Sequence, residues 1–167
     1  MSRPAIALPS VRELGVVVRA HDLVVAIPAR HVVRLVLPDE ITVLREGAPG
    51  LVEAEGGETF AAWDLGEILG RESLDAAWVL ARVPRPGAAD LKIALRTGAC
   101  VVVETLPDAL ALPSALLATR ARAFPAAFPA RANHGGALYG LVLDLPRLLS
   151  PAEVLACAPE TRGAGAS

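Results

Sequence analysis

The sequence predicts an all-β fold built from two similar small barrels. Short runs of β-branched and aliphatic residues recur along the chain between Gly and Pro residues, without regular alternation of strands and helices. A unit at residues 51–70, LVEAEGGETFAAWDLGEILG, returns in related form at residues 135–150, GGALYGLVLDLPRLLS. The short strands are typical of a barrel or a sandwich, and the repeated strand-to-turn unit favours two similar barrels in one chain.

The composition is consistent with a core of aliphatic side chains. The chain has 167 residues, which corresponds to one domain or to two small lobes that share a core. This length is sufficient to bury a substantial interior without disulfides. Hydrophobic residues make up 53% of the chain and aromatic residues only 4%, so the core must consist mainly of Val, Leu, Ile and Ala.

The charge pattern and the apolar runs exclude two classes of partner. The net charge is −2 and acidic and basic residues are interspersed, so we expect no nucleic-acid partner. The first residues, MSRPAIALPSVREL, contain no apolar run of signal-peptide length. No stretch approaches the roughly 18 uninterrupted apolar residues of a membrane span. We therefore expect a cytoplasmic, soluble protein without membrane insertion.

The N-terminal part predicts a hairpin after a flexible lead-in. Residues 1–12 contain two prolines and are expected to be flexible. The Val-rich segments 14–19 and 23–27 flank a plausible turn at 20–22, so they are predicted to pair as antiparallel strands.

The next part of the chain is more broken. Segment 29–35 fits either a short helical turn or the entrance of a strand, and its apolar spacing does not decide between them. Leu-Pro-Asp-Glu at 37–40 breaks the chain, a short strand follows at 41–44, and Gly and Pro predict a loop at 45–50.

The central unit predicts a hairpin followed by a capped helical turn. Strands at 51–54 and 59–63 flank the sequence EGGE, whose glycines accept positive φ angles without steric cost. Asp64 is placed as an N-cap, Glu67 completes a capping box, and Gly70 ends the turn. This capping role accounts for Asp64 without any catalysis.

The second half repeats the scheme. Strands are predicted at 77–83, 91–95 and 99–105, and residues 84–90 are predicted to form a loop. The segment AWVLARV at 77–83 is comparable with LGVVVRA near the start of the chain. Residues 115–123 are rich in Ala and Leu, and the sequence leaves open whether they form a helix.

The C-terminal part closes with a second capped turn. Residues 124–133 contain two prolines and predict an irregular crossing, and 135–143 predict the last strand or strand pair. Asp144 is predicted to cap the turn that follows. Ser150 begins the sequence SPAE, which predicts an N-cap with Pro at the first helical position and a helix to about residue 158. Residues 159–167 are expected to be disordered.

No enzyme signature is present. His21, His31 and His134 are widely spaced and lie beside no Cys or acidic cluster, so we expect surface or loop histidines. Cys100 and Cys157 lie in apolar surroundings and predict buried free thiols. No serine lies in a G-x-S-x-G elbow, and no Lys-Ser/Thr follows the Gly-Gly pairs. We predict no catalytic residue, no cofactor and no metal.

Two further sets of residues have structural interpretations. Trp63 and Trp78 are interpreted as anchors of the core or of the junction between lobes. Arg30, Arg34 and Arg45 are interpreted as a solvated face, with a contact face as the alternative.

The arc from residue 14 to residue 150 resembles the CheW-like family, the coupling proteins of bacterial chemosensory arrays. VVVRAHDLVVAIPARHVVRLV is similar to the N-terminal strand pair of that family and the Val-x-x-Val segment after it. Residues 57–70 resemble its turn that leads into Asp-Leu and closes on Leu-Gly. LYGLVLDLPRLLS resembles its final strand with an Asp-Leu-x-x-Leu-Leu ending. The order and spacing of these motifs carry the resemblance over most of the chain.

The resemblance implies a fold and a function. The fold would be two SH3-like five-stranded β-barrels with short capping helices, packed together within residues 13–158 and divided near residues 70–76. The function would be that of a non-catalytic adaptor. Its partners would be the regulatory domain of a chemosensory histidine kinase and the cytoplasmic tip of a chemoreceptor.

The Gly-Gly turn is the candidate site for a partner. The family makes partner contacts at this turn, and the arginine of the family falls at Gly56 in this chain. Here the turn is acidic, so we expect it to bind a basic surface. The candidate partner-binding residues are Glu53, Glu55, Gly56, Gly57 and Glu58.

Two alternatives remain beside the chemosensory adaptor. The loss of the family arginine at Gly56 suggests that the scaffold serves a different signalling or motility complex. A small-ligand-binding or enzymatic barrel is the third possibility, and it predicts a sizeable polar pocket with perturbed titratable groups.

Overall fold

The computed structural model describes residues 13–105, 108–112 and 123–149, which form twelve strands and two short α-helices. The strands are β1 (Leu14–Ala20), β2 (Leu23–Pro28), β3 (Val32–Val36), β4 (Ile41–Arg45), β5 (Gly50–Ala54), β6 (Thr59–Asp64), β7 (Ala77–Arg85), β8 (Ala88–Thr97), β9 (Cys100–Thr105), β10 (Leu110–Ala111), β11 (Ala126–Pro129) and β12 (Tyr139–Val142). The helices are α1 (Leu65–Ile68) and α2 (Leu145–Leu148), and 3-10 turns lie at Ala29–His31, Pro38–Glu40 and Ala132–His134. The predicted all-β class is confirmed.

The strands form two sheets of six. The first sheet has the order β10-β11-β12-β2-β1-β9, and the second has the order β3-β7-β8-β6-β5-β4. Each sheet therefore contains six strands in the described residues, where five were expected. The additional strand in the first sheet is the two-residue β10, which pairs with β11.

The two halves of the chain exchange their hairpins. The β1-β2 hairpin belongs to the first sheet with β9 to β12, whereas the β7-β8 hairpin belongs to the second sheet with β3 to β6. Adding six to the strand numbers of the first half and subtracting six from those of the second half converts one sheet order into the other, read from the opposite end. Residues 70–76 connect α1 to β7, and β6 and β7 lie in the same sheet. This segment therefore divides the two repeats but not the two sheets.

The duplicated sequence unit occupies equivalent places in the two sheets. In each sheet, the strand after the Gly-Gly turn pairs in parallel with the second strand of the exchanged hairpin. These pairs are β12 with β2 and β6 with β8, and a short helix follows β6 and β12. All other strand pairs among the described residues are antiparallel.

The exchanged hairpins are buried on both faces, which explains their nearly continuous apolar sequences. In β1, Val16 and Val18 contribute to a core shared by strands of both sheets, whereas Val17 packs in a smaller core of the first sheet. In β7, Val79 faces the shared core and Leu80 faces the core of the second sheet. The hairpins therefore hold the two sheets together.

Both tryptophans are buried, as predicted for core anchors. Trp63 packs in the shared core, and Trp78 packs in the core of the second sheet. Neighbouring residues of a strand point to opposite faces, so Trp63 lies on the face of β6 opposite to Asp64.

The prediction of a loop at residues 84–90 is wrong. Strand β7 continues to Arg85 and β8 begins at Ala88, so only a two-residue turn with Gly87 at φ 68° separates them. Proline has no backbone N–H to donate to a neighbouring strand. Pro84 is tolerated in β7 because the register shifts between Val83 and Arg85, so that Pro84 has no paired residue opposite it in β8.

Two other segments differ from expectation. Residues 124–133 contain β11, because the chain after Pro125 pairs with β12. The last strand covers only Tyr139–Val142, so residues 135–138 and 143 of the predicted strand lie outside it. The expectations for residues 1–12, 115–122, 150–158 and 159–167, including the N-cap at Ser150, lie outside the described residues. No helix in the described ranges is long and apolar enough to cross a membrane.

Candidate functional site

The acidic turn joins β5 to β6 and is defined by backbone hydrogen bonds. The amide of Gly57 donates to the carbonyl of Ala54 at 3.1 Å, and the amide of Ala54 donates to the carbonyl of Glu58 at 2.9 Å. Gly56 has φ 89° and Gly57 has φ 80°, a region that favours glycine. An arginine at position 56 would therefore strain the turn, although no atom obstructs the space that its Cβ would take.

Pairing of β4 with β5 brings a second acidic segment to the turn. Residues of the 3-10 turn before β4 and of the Gly-Gly turn line a cavity of about 470 Å³. We call this cavity the acidic groove, and its charged lining consists of Asp39, Glu40, Glu53 and Glu55. Asp39 and Glu40 were missed in the sequence, where they mark only a break. Antiparallel pairing of segments 41–44 and 51–54 would have placed them beside the turn.

The carboxylates of the acidic groove have few charged or hydrogen-bonding partners among the described residues. Glu40 accepts a hydrogen bond from the backbone amide of Leu37 at 2.8 Å. No ion pair joins Glu53 or Glu55 to a residue in the described ranges, and Glu55 is exposed. The groove therefore presents a negative field to solvent, which favours a cationic partner.

Glu58 differs from the other acidic residues of the turn. Its Oε1 lies 2.9 Å from Lys92 Nζ and 2.7 Å from Arg82 Nη2. The hydrogen bond from Lys92 lowers the pKa of Glu58, helped by Arg82 and opposed by desolvation. Glu58 is thus held against the β7-β8 hairpin, and its charge is balanced within the protein.

Asp64 lies at the N-cap of α1. Its Oδ1 accepts from the amide of Glu67 at 3.2 Å, and its Oδ2 accepts from the amide of Leu74 at 3.1 Å. Glu67 accepts from the hydroxyl of Ser73 at 3.0 Å, and in this described turn its carboxylate accepts no hydrogen bond from the backbone amide of Asp64. The cap is therefore one-sided and also ties down the segment before β7.

The side-chain cap expected from Asp144 is absent, although Asp144 occupies the N-cap position of α2, a helix that the structure describes in full. Pro146 removes one of the two amides that an N-cap side chain can reach. The other amide, of Arg147, donates to the main-chain carbonyl of Asp144 at 3.0 Å. The carboxylate turns instead to the Arg147 guanidinium, with Oδ2 3.2 Å from Nε.

Two histidines are buried, so the expectation of surface positions holds only in part. All three lie in turns, but His31 and His134 are 7% and 0% exposed. His134 Nδ1 accepts from the amide of Arg131 at 3.0 Å, so Nε2 carries the proton and donates to Glu104 Oε1 at 2.5 Å. Burial opposes ionisation of Glu104, but hydrogen bonds from His134 and Asn133 outweigh it and lower the pKa of Glu104.

His31 has a buried imidazole, whereas Cys100 has an exposed thiol. Burial, helped by the guanidinium of Arg30, lowers the pKa of His31. The thiol of Cys100 is exposed at the start of β9, so the prediction of a buried thiol is wrong at this position. Cys157 lies outside the described residues.

An arginine of each exchanged hairpin holds a Gly-Gly turn of the other repeat. Arg19 donates from Nη1 to the carbonyls of His134 and Gly135 at 3.1 and 2.6 Å, and from Nε to the carbonyl of His21 at 2.5 Å. Arg82 occupies the equivalent position of β7 and pairs with Glu58 beside the other Gly-Gly turn. The hairpins thus fix both turns through long side chains.

Similarity to solved structures supports the fold. No protein-family model and no curated protein matches the sequence. The crystal structure of the scaffolding protein TtCheW from Thermoanaerobacter tengcongensis is similar, with a TM-score of 0.57 and 14% sequence identity. The match covers 86% of this chain and 91% of that protein. At this identity the similarity concerns the backbone, and the chain therefore has a CheW-like two-sheet fold.

Proposed function

We propose that this protein is a non-catalytic, cytoplasmic scaffold that couples a chemoreceptor to a histidine kinase through protein–protein contacts. The observation that carries the proposal is an exposed, uncompensated acidic groove on a fold that is similar to that of a scaffolding protein. The partners expected from the family resemblance are the kinase regulatory domain and the cytoplasmic tip of the receptor.

The acidic groove is the part of the surface that we assign to a partner. Glu53 and Glu55 carry charges that no described residue balances, and the neighbouring Asp39 and Glu40 extend the negative surface. Complementary charge raises association rates and orients a partner more than it adds affinity. The groove therefore fits a partner segment rich in Lys or Arg.

A second candidate keeps the scaffold and changes the complex. Gly56 replaces the family arginine, and its positive φ shows that the backbone of this turn is adapted to glycine. A turn built in this way favours a partner that recognises carboxylates and not a guanidinium. Such a partner would belong to another signalling or motility complex.

Titration calorimetry with a chemosensory kinase regulatory domain tests the first candidate. We expect wild-type binding at a roughly micromolar Kd, as for transient signalling interfaces. The Glu53→Ala/Glu55→Ala variant should bind about tenfold more weakly, and the difference should shrink at high salt. The Asp75→Ala/Asp90→Ala variant makes the same charge change at exposed positions elsewhere and should bind like the wild type.

Three outcomes separate the candidates. Equal weakening by both double variants would show a general charge effect and would contradict the assignment of the groove. Absence of wild-type binding would contradict the kinase-coupling role. In that case, capture of a different signalling component from the same cell that depends on Glu53 and Glu55 would support the second candidate.

A further inference from the structure

A second cavity lies at one end of the second sheet, apart from the acidic groove. Its volume is about 290 Å³, and the loop between β4 and β5 covers one side. Val52, Ala62 and Trp78 belong to the core of the second sheet and give the cavity apolar walls. Cavities at the mouths of β-barrels, with apolar walls and a few polar groups, are common binding sites for small ligands.

The polar centre of this cavity is Arg96. The pairing of β8 with its two neighbours places Arg96 opposite Trp78 of β7 and opposite Asp64 of β6. The guanidinium carbon lies 4.8 Å from the centroid of the Trp78 ring, so the group is stacked on the indole. The cavity therefore contains a cation whose orientation is set by an aromatic wall.

Arg96 has unused capacity to donate hydrogen bonds. Its Nε is buried and has no hydrogen-bond partner, and no carboxylate of the described chain lies within ion-pair distance of it. A buried donor without a partner is uncommon in folded proteins and calls for an explanation. The terminal nitrogens are not closed off from solvent as Nε is, so a ligand that brings an acceptor oxygen to them would give the guanidinium a partner.

The same cavity also offers acceptors. Asp64 and Glu67 line it, and each carboxylate already accepts from a protein group but keeps further lone pairs. The other charged residues of the lining are Arg45 and Glu46, so the total formal charge is −1 and does not favour an anion. One hydrogen-bond donor and two acceptors between apolar walls match a ligand group that both accepts and donates hydrogen bonds.

We propose that this cavity binds a primary carboxamide with a small apolar body. The amide oxygen accepts from a terminal nitrogen of the Arg96 guanidinium, the amide nitrogen donates to Asp64 or Glu67, and the apolar body contacts Trp78. The carboxamide could belong to a Gln or Asn side chain of a partner segment or to a free small amide. This site is independent of the acidic groove and of the scaffold function.

NMR with a matched pair of probes tests the site. Isobutyramide and isobutyrate have the same shape, but only the first is neutral and carries N–H donors. We expect isobutyramide to shift the Nε–H resonance of Arg96 in a saturable way with a Kd of roughly millimolar, as for fragments of this size. Isobutyrate should bind about tenfold more weakly, because Glu46, Asp64 and Glu67 repel it. N-acetylglutamine N-methylamide tests the peptide source of the same group.

Two variants and a control complete the experiment. Arg96→Met keeps an apolar body over Trp78 and removes the donor, so binding should fall about tenfold or more. Arg96→Lys keeps the charge without the planar guanidinium and should also lose binding, which keeps the test valid if Arg96→Met fails to fold. Arg34→Met, at an exposed position of β3, should bind isobutyramide like the wild type.

Each possible result either supports the proposal or overturns it. Binding of isobutyramide that requires Arg96 supports it, and binding of the glutamine derivative with similar affinity identifies a partner side chain as the source. Binding of isobutyramide alone identifies a free small amide. Equal or tighter binding of isobutyrate, unchanged binding in both Arg96 variants, or no saturable shift would overturn the carboxamide assignment.

Discussion

Arg19 and Arg82 show how a single residue connects the two repeats. Each lies near the end of the first strand of an exchanged hairpin, and each reaches a Gly-Gly turn that belongs to the other half of the chain. Arg19 is partly buried and donates to three carbonyls, whereas Arg82 forms an exposed ion pair with Glu58. Equivalent positions in the repeats have therefore diverged in how they hold the turn.

This difference predicts unequal costs of removal. Arg19→Met removes the side-chain donor to the carbonyls of His21, His134 and Gly135, and among the described residues only that of His134 keeps a backbone donor, the amide of Ala137. The change should lower the free energy of unfolding by about 1–3 kcal/mol. Arg82→Met removes a solvent-screened pair and should cost about 0–1 kcal/mol. Urea denaturation followed by circular dichroism measures both. Similar losses in the two variants would contradict the assignment of Arg19 as the stronger tie.

Single residues also show what a linear sequence can predict about the site. The charges and glycines of the turn between β5 and β6 are adjacent in the chain, so its acidic character was evident without a structure. The participation of Asp39 and Glu40 depends on strand pairing, and the ion pairs of Glu58 depend on β7 and β8. The missing cap of Asp144 follows from a local cause, Pro146, that the sequence contains.

At the scale of elements, β11 and β12 are held together by a close contact. Gly140 of β12 pairs with Phe128 of β11, and the Phe128 side chain is 2% exposed. A Cβ at position 140 would overlap the Phe128 ring. The glycine is therefore needed because the far end of the Phe128 ring occupies the space that a Cβ would take.

This contact predicts a destabilising substitution with a specific rescue. Gly140→Ala should lower the free energy of unfolding by about 1–3 kcal/mol, because the Phe128 ring must move within a packed core. In a Phe128→Leu background the same change should cost measurably less, since the smaller side chain leaves room. A double-mutant cycle by thermal or urea unfolding gives the coupling. Additive costs would show that the overlap is relieved elsewhere.

Element existence followed the sequence better than element length. The Val-rich hairpin and the hairpin around the Gly-Gly turn are local and carry clear period-two and turn signals. The β7-β8 hairpin extends through a proline that suggested a loop, because a register shift accommodates Pro84. Strand β11 is short and rich in Ala, so only its pairing with β12 identifies it.

At the scale of the whole molecule, the exchange of hairpins makes the two repeats interdependent. Each sheet takes two strands from one half of the chain and four from the other. The shared core includes residues of both exchanged hairpins, such as Val16, Val18, Val79 and Ala81. Neither half can therefore complete a sheet by itself.

Cleavage between the repeats tests this interdependence. A protease recognition sequence inserted between Asp75 and Ala76, both exposed, allows the folded protein to be cut at the boundary of the repeats. The two fragments should elute together in native buffer and separate only in denaturant, because each sheet contains strands of both. Each fragment expressed alone should lack the cooperative unfolding of the intact chain. Separation of the fragments in native buffer would contradict the exchanged arrangement.

The sequence by itself determined the all-β class, the duplication and the acidic character of the Gly-Gly turn. These properties depend on residue types and spacings within short windows, where side-chain periodicity and turn preference act directly. Only the tertiary structure decided which hairpin joins which sheet, which carboxylates meet in the acidic groove, and that Arg96 lies unpaired over Trp78. These features arise from pairing between segments that lie far apart in the chain. Burial of both faces of each hairpin selects this pairing, and no local sequence pattern encodes it.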